Sequence, residues 1–191
     1  EEVEERSLDK PADISHAVKE QPGIQLQRTS ANSGFFNVRL LGLRGKYTQT
    51  LRDGQPLFGG LSQNISLTQL ATLDVNQIEI IKGPSSTLYG GDAIAGALNI
   101  ISKTPDRNKT ERTVLLNVES TKSFDAGVFW LEKFNKIGVS FTGQYRNQQA
   151  KDWDKDNFSD QPKLYRYSFQ PTLFFYISPK ITLKVSANFT Q

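Results

Sequence analysis

The chain has 191 residues, with 23 lysines and arginines, 20 aspartates and glutamates, and a formal net charge of +3. No apolar run approaches the roughly 18–20 residues of a membrane-spanning helix, which excludes a helical membrane protein. Cysteine is absent and His16 is the single histidine, so disulfides, thiolate metal sites and sites that need two imidazoles are excluded as well. The small net charge does not indicate nucleic-acid binding.

The composition changes near residues 104–112, a polar stretch that contains Pro105. Of the 14 glycines, eleven lie at or before Gly96, whereas fifteen of the 20 aromatic residues follow Thr113. This change predicts two structural units. We place an acidic tail at residues 1–12, a first domain at 13–105, a linker at 106–112 and a second domain at 113–191.

The first domain has the pattern of a small mixed α/β fold. Asp13 is a plausible helix N-cap, and Asp53-Gly54 is a tight-turn signal for a hairpin between residues 47–52 and 55–58. In chain order the sequence predicts a helix at 13–20, strands at 36–41 and 47–51, a helix at 66–73, a strand at 75–81, a short helix at 85–89 and a strand at 97–102.

The second domain shows alternation of apolar and polar residues, which is typical of β-strands and is less regular at 113–119 and 124–133. Five strands of an antiparallel meander are predicted, at residues 113–119, 124–133, 137–146, 164–178 and 180–190. A soluble β-sandwich alternates equally well.

Four features favour a transmembrane barrel over that sandwich. The strands are long, and their polar face carries Ser, Thr, Gln, Asn and Lys. The turns at 134–136 and 178–180 are tight while 147–163 is long, although the short loop at 120–123 departs from that pattern. Aromatic residues lie near the strand ends, as in interfacial girdles (Tyr145, Tyr165, Tyr167 and Tyr176).

Residues 78–105 (IEIIKGPSSTLYGGDAIAGALNIISKTP) closely resemble the plug-domain signature of TonB-dependent outer-membrane receptors. Residues 19–27 (KEQPGIQLQ) and 51–57 (LRDGQPL) resemble the PGV segment and the DG-x-P hairpin of that family, in the same order. The resemblance implies an α+β plug at residues 13–105. About five antiparallel strands of an incomplete transmembrane β-barrel follow in the bacterial outer membrane.

The resemblance also implies a function, which is energy-coupled uptake of a scarce ligand such as a ferric siderophore, haem or cobalamin. The implied partners are the TonB complex of the inner membrane and the outer-membrane lipid. A non-transporting module that binds a ligand or protein at the cell surface is the alternative. Five strands cannot close a barrel, so we expect this chain to be the N-terminal part of a larger receptor.

In the family, the apical loops of the plug meet the ligand. The matching positions here lie in residues 43–47 and 58–63, and their alternative role is that of surface side chains facing the barrel wall or water. The candidate ligand-binding residues are Arg44, Lys46, Tyr47, Phe58, Gly59, Gly60 and Gln63.

Lys82 stands where the family has a cation before Gly-Pro, and there it resembles one member of a charged lock between plug and barrel. A solvated lysine at a strand end is the alternative. Many members carry a second cation at the position of Leu41, so the two-cation form of the lock is in doubt.

Residues 152–160 partly match a calcium loop, because Asp152, Asp154 and Asp156 have the ligand spacing. Asn157 replaces the usual glycine, and Lys163 stands at the place of the bidentate glutamate. A solvated acidic loop is the alternative to a calcium site.

The sequence contains no motif that indicates an enzyme. The stretch IKGPSST follows a predicted strand but lacks the order of a phosphate-binding loop. The G-x-S-x-G pattern of a serine hydrolase is also missing.

Overall fold

A computed structural model divides the chain into two compact units, Glu1–Ser102 and Lys103–Gln191. The structure describes residues 18, 22–28, 36–57, 72–83, 93–107, 109–120, 122–153, 159–161 and 163–191. Within these residues, no helix has both the length and the apolar character needed to cross a membrane.

The described residues of the first unit form two small sheets. One pairs β1 (Ile24–Arg28) with β2 (Phe36–Leu40) in antiparallel fashion. The other has the order β4-β3-β6-β5, in which β3 and β6 are parallel and the other pairs are antiparallel. Its strands are β3 (Thr48–Arg52), β4 (Gln55–Pro56), β5 (Val75–Lys82) and β6 (Gly96–Ser102).

The predicted strands and hairpin of this unit are present, with small shifts at their ends. The strand predicted at 36–41 stops at Leu40, because Leu41 turns the chain with a φ of +52°. Tyr47 belongs to a 3-10 helix, Gly45–Tyr47, and this delays the start of β3 by one residue. Asp53 and Gly54 form the predicted turn, with φ angles of +50° and +78°.

Much of the predicted helical sequence lies outside the described residues, including all of 85–89. Val18, within the predicted helix at 13–20, is helical. Of the helix predicted at 66–73, only Thr72 and Leu73 are described, and these two residues lie in the bend and turn before β5 and are not helical.

An ordinary apolar core holds the first unit together. Leu40, Leu98 and Ile100 are completely buried and pack in one cluster with Val38 and Val75. The strand β6 is buried along nearly its whole length because it lies between β3 and β5.

The start of β6 requires glycine. Gly96 has a φ of +142°, and a Cβ placed there would lie 2.2 Å from the carbonyl oxygen of Ile81 on β5. No L side chain fits that approach, so Gly96 sets how closely β5 and β6 pair at this end.

The second unit is an open antiparallel meander with the order β11-β10-β9-β8-β7. Its strands are β7 (Glu111–Glu119), β8 (Ser123–Phe134), β9 (Ile137–Gln148), β10 (Leu164–Ser178), β11 (Ile181–Ser186) and β12 (Phe189–Thr190). The predicted meander is therefore confirmed, with β7 beginning two residues before the expected Thr113.

The last predicted strand, at 180–190, is divided into β11 and β12. Both pair with β10 in one register, from Thr172↔Ser186 to Phe169↔Phe189. The break lies opposite Pro171, whose carbonyl accepts a hydrogen bond from the amide of Ala187 at 3.1 Å. Because proline has no amide hydrogen, the return bond of this pair is missing and the ladder is interrupted.

The two faces of this sheet have the reverse of the usual burial. On β7 the side chains of Val114, Leu116 and Val118 are 76%, 70% and 77% exposed. On the opposite face, Asp125 and Thr142 are 2% and 1% exposed. The inner face also buries Phe129, Leu131 and Phe174. An outer face of exposed apolar residues, with polar residues buried on the inner face, is typical of a transmembrane barrel wall and contrary to a soluble sandwich.

Candidate ligand-binding cleft

A cleft of about 550 Å³ opens in the first unit beside the β1–β2 hairpin and the 3-10 helix. It is lined by two amides, three cations and one glycine (Gln27, Asn37, Arg39, Arg44, Gly45 and Lys46). Gln27 and Asn37 are register partners on β1 and β2, and Arg39 lies two residues farther along β2 on the same face.

A close backbone contact fixes the loop of this cleft. A Cβ on Gly45 would lie 2.8 Å from the Cβ of Asn37 and 3.1 Å from the carbonyl oxygen of Val38. Two further hydrogen bonds shape the turn, from the amide of Leu43 to Leu40 and from the amide of Tyr47 to Arg44, both at 2.9 Å. Gly45 therefore lets the loop approach β2 and brings its two flanking cations to the cleft.

The electrostatics of the cleft favour an anion. Arg39, Arg44 and Lys46 supply three positive charges, and none of the described residues that line the cleft is acidic. Arg39 donates from Nη2 to the carbonyl of Gly42 at 2.7 Å. Its Nε is buried and has no hydrogen-bond partner in the described part of the chain.

Of the seven predicted ligand-binding residues, Arg44 and Lys46 line the cleft. Tyr47 is half-buried and packs against the apolar core, with Lys46 Nζ 4.8 Å from its ring centroid. The predicted residues of the second loop lie outside the described residues (Phe58, Gly59, Gly60 and Gln63).

Three residues that line the cleft were not predicted from the sequence, Gln27, Asn37 and Arg39. Their positions depend on the pairing of β1 with β2, and β1 was not expected as a strand. The alternation of Ile24 and Leu26 with glutamines was the available signal, since both apolar residues face the core while Gln27 remains exposed.

Lys82 lies exposed at the end of β5 and donates a hydrogen bond to the carbonyl of Pro22 at 2.8 Å. Its Nζ and the Cδ2 of Leu41 lie 3.5 Å and 3.8 Å from the Cβ position of Gly23. Lys82 and Leu41 thus meet at one corner of the first unit. Where the family resemblance implies two cations, the described residues of this corner include one, Lys82.

The predicted calcium loop is described only in part, because Asp154 and Asp156 lie outside the described residues. In the flanking residues, the amide of Trp153 donates to Asp160 at 2.9 Å, and Lys163 Nζ lies 5.0 Å from the ring centroid of Tyr165. In the residues that the structure does describe, no three His, Cys, Asp or Glu side chains come together as a metal site. Calcium binding stays a prediction.

Comparison with known proteins identifies the family. The model of the TonB-dependent receptor plug domain matches residues 2–97, half of the chain. Among solved structures, the ferric enterobactin receptor PfeA of Pseudomonas aeruginosa matches at 21% identity with a TM-score of 0.76, over 98% of this chain and 32% of that one. The siderophore receptor PirA of Acinetobacter baumannii gives 21% identity and a TM-score of 0.76, over 97% of this chain and 30% of that one.

The copper transporter OprC has the same fold at 16% identity and a TM-score of 0.77, over 94% of this chain and 28% of that one. The chain thus spans about a third of the length of the structures it matches. These solved receptors share the plug followed by antiparallel barrel strands. The chain belongs to the TonB-dependent receptor family, whose members are proteins of the Gram-negative outer membrane.

Proposed function

We propose that the receptor containing this chain takes up an anionic iron chelate of the siderophore class by TonB-dependent transport. The observation that carries this proposal is the cleft lined by Arg39, Arg44 and Lys46, whose described lining includes no acidic residue. A cation cluster of this kind favours a ligand with several negative charges.

Iron chelates differ in charge, and that difference ranks the candidate ligands. Ferric iron held by three catecholates carries a net negative charge, whereas a ferric complex of three hydroxamates is neutral. Haem carries two carboxylates at its edge, and cobalamin has no comparable anionic surface. The cleft therefore favours a catecholate-type chelate, with the amides of Gln27 and Asn37 as further donors.

Three structural neighbours bear on the choice between iron and copper. PfeA is named as a ferric enterobactin receptor, PirA as a siderophore receptor and OprC as a copper transporter. Copper favours soft or imidazole ligands, and this chain has no methionine, no cysteine and one histidine. Its own residues thus support the siderophore class.

The test measures binding and uptake separately in the full-length receptor, expressed in cells that lack other siderophore receptors. The probes are a radiolabelled ferric tris-catecholate and a neutral ferric tris-hydroxamate. Arg44→Gln combined with Lys46→Gln should weaken catecholate binding about tenfold or more, because charged hydrogen bonds are lost. The charge-conserving Lys46→Arg should bind nearly as well as the unmodified receptor.

Lys122→Gln combined with Lys136→Gln serves as the matched control, since it removes two exposed positive charges from turns of the second unit. Preference for the neutral chelate, or equal loss in the control, would contradict the proposal. Tight binding without uptake in cells with an intact TonB complex would support a non-transporting surface module instead.

A further inference from the structure

Pro105 makes an unusually close contact with the second unit's sheet. It is buried, and a Cβ added to Gly138 on β9 would lie 2.8 Å from the Cγ of Pro105 and 3.1 Å from its Cβ. The proline ring thus rests directly on the backbone of Gly138. Any larger residue at 138 would displace it.

Tyr176 on β10 holds the same proline from the side. Its hydroxyl donates to the carbonyl oxygen of Pro105 at 2.9 Å. The ring of Tyr176 is itself fixed, because Lys133 Nζ on β8 lies 3.5 Å from the ring centroid.

Lys103 adds a third attachment, two residues before Pro105. Its Nζ lies 2.5 Å from the carboxylate of Glu111, the first residue of β7, and 5.2 Å from the ring centroid of Phe129 on β8. The side chains of Lys103 and Glu111 are only 13% and 18% exposed, so water screens this ion pair weakly.

We propose that residues 103–105, here called the anchor segment, are a fixed attachment of the chain to the barrel wall and stay docked during transport. Four adjacent strands hold this segment, through Glu111, Phe129, Gly138 and Tyr176. The plug's last strand, β6, ends at Ser102, directly before the anchor segment. Any rearrangement of the plug during uptake therefore ends at Ser102.

The chemistry of the segment suits a permanent contact. Proline fixes its own φ and brings no amide hydrogen that would need a partner against the wall. The chain then reverses in a turn closed between Asp106 and Lys109, where the amide of Lys109 donates to Asp106 at 3.4 Å. The segment is thus stiff and held on both sides.

A disulfide tests whether the anchor segment moves. Pro105→Cys combined with Gly138→Cys places two Cβ atoms 3.1 Å apart, and a shift of a few tenths of an ångström brings them to the separation of about 3.5–4.5 Å that a disulfide needs. The substitution also removes the proline ring that would otherwise clash with a side chain at 138. The chain has no cysteine of its own, so it adds no competing thiol.

The full-length receptor carrying both cysteines is oxidised in the outer membrane and assayed for chelate uptake before and after reduction. We expect the cross-link to form efficiently and to leave the uptake rate within about twofold of the reduced form. Only the uptake measurement rests on the proposed function, because formation of the cross-link is measured independently of transport. Failure of the reduced receptor to take up any chelate would count against that function, while docking is still read from the cross-link.

Two outcomes would contradict the proposal that the anchor segment stays docked. One is a disulfide that fails to form in the resting receptor, and the other is oxidised receptor that binds the chelate but transports it only after reduction. The Pro105→Cys single variant controls for loss of the proline.

A second variant avoids any cross-link. Tyr176→Phe removes the hydroxyl that binds Pro105, and a spin label on Arg107→Cys reports motion next to the anchor segment. The undocked population should rise about threefold to tenfold, the usual worth of one hydrogen bond. Tyr167→Phe, an exposed tyrosine on the outer face of β10, is the matched control and should leave the spectrum unchanged. Equal spectra for both variants would contradict the role of Tyr176.

Discussion

The plug and the barrel wall use the same two-residue alternation in opposite senses. In the plug, Leu51, Leu98 and Ile100 are fully buried. In the wall, Leu116 and Val118 are 70% and 77% exposed while Asp125 is buried. Alternation of apolar and polar residues indicates only that a strand has two different faces. Which face is turned to the protein's interior depends on whether the other meets water or lipid.

The two regions also differ in what stabilises them. The plug gains stability by removing apolar side chains from water, at about 25 cal/mol per Å² of buried area. The apolar side chains on the outer face of the wall contribute the same stabilisation only when lipid covers them. Substitutions at matched positions in the two regions should therefore have different costs.

The largest expected effect lies in the plug, at Gly96. Gly96→Ala places a Cβ 2.2 Å from the Ile81 carbonyl, on backbone that L residues rarely adopt. We expect a loss of more than about 4 kcal/mol, a large part of a domain's stability, measured as rapid proteolysis of the plug in the folded receptor.

Gly54→Ala is the matched control for that change. Gly54 also has a positive φ, +78°, but nothing lies within 4 Å of an added Cβ. Its cost should be only about 1–2 kcal/mol. Equal resistance to protease in the two variants would show that the close approach of β5 and β6 is unimportant.

A smaller effect is expected in the wall, where an arginine should distinguish the two faces. Leu116→Arg puts a charge on the outer face near the middle of β7 and should cost about 2–4 kcal/mol in a bilayer. Leu115→Arg turns the charge to the inner face and should cost less. The measurement is a urea titration of the receptor folded into phospholipid vesicles.

The opposite order of costs would contradict the assignment of the faces. In a soluble sandwich, the exposed Leu116 would tolerate arginine and the half-buried Leu115 would not.

The smallest effect concerns aromatic pairs on the outer face. Phe141 and Phe169 meet edge to face, with centroids 5.0 Å apart. A double-mutant cycle with Phe141→Leu and Phe169→Leu should give a coupling of about 0.5–1.5 kcal/mol, because lipid replaces much of the lost apolar contact. The same urea titration measures it, and a coupling near zero would contradict a specific ring contact.

The wall was predictable from the sequence because its signal is local and repeated. The alternation in 164–178 predicts the bounds of β10 without help from distant residues, whereas its pairing register was not predicted. The division of the last strand opposite Pro171 was not predicted, although the missing amide hydrogen of proline was visible in the sequence.

The plug was less predictable because its sheet depends on distant pairings. Thr48 on β3 pairs in parallel with Gly96 on β6, and no local pattern specifies that contact. The residues that line the candidate cleft were hard to predict for the same reason. Arg44 and Lys46 were found from their loop, but Arg39 joins them only through the pairing of β1 with β2.

The assignment of the sheet as a barrel wall depends on the apolar side chains of β7 facing outward. Spin labels placed one at a time on residues 113–118 test that orientation most directly. The receptor is placed in a bilayer, and collisions with lipid-soluble oxygen are compared with collisions with a water-soluble nickel chelate. Oxygen accessibility should rise and fall with a period of two, with maxima at Val114, Leu116 and Val118. Maxima at Thr113, Leu115 and Asn117, or equal access of the nickel chelate to the outer positions, would contradict the barrel-wall assignment.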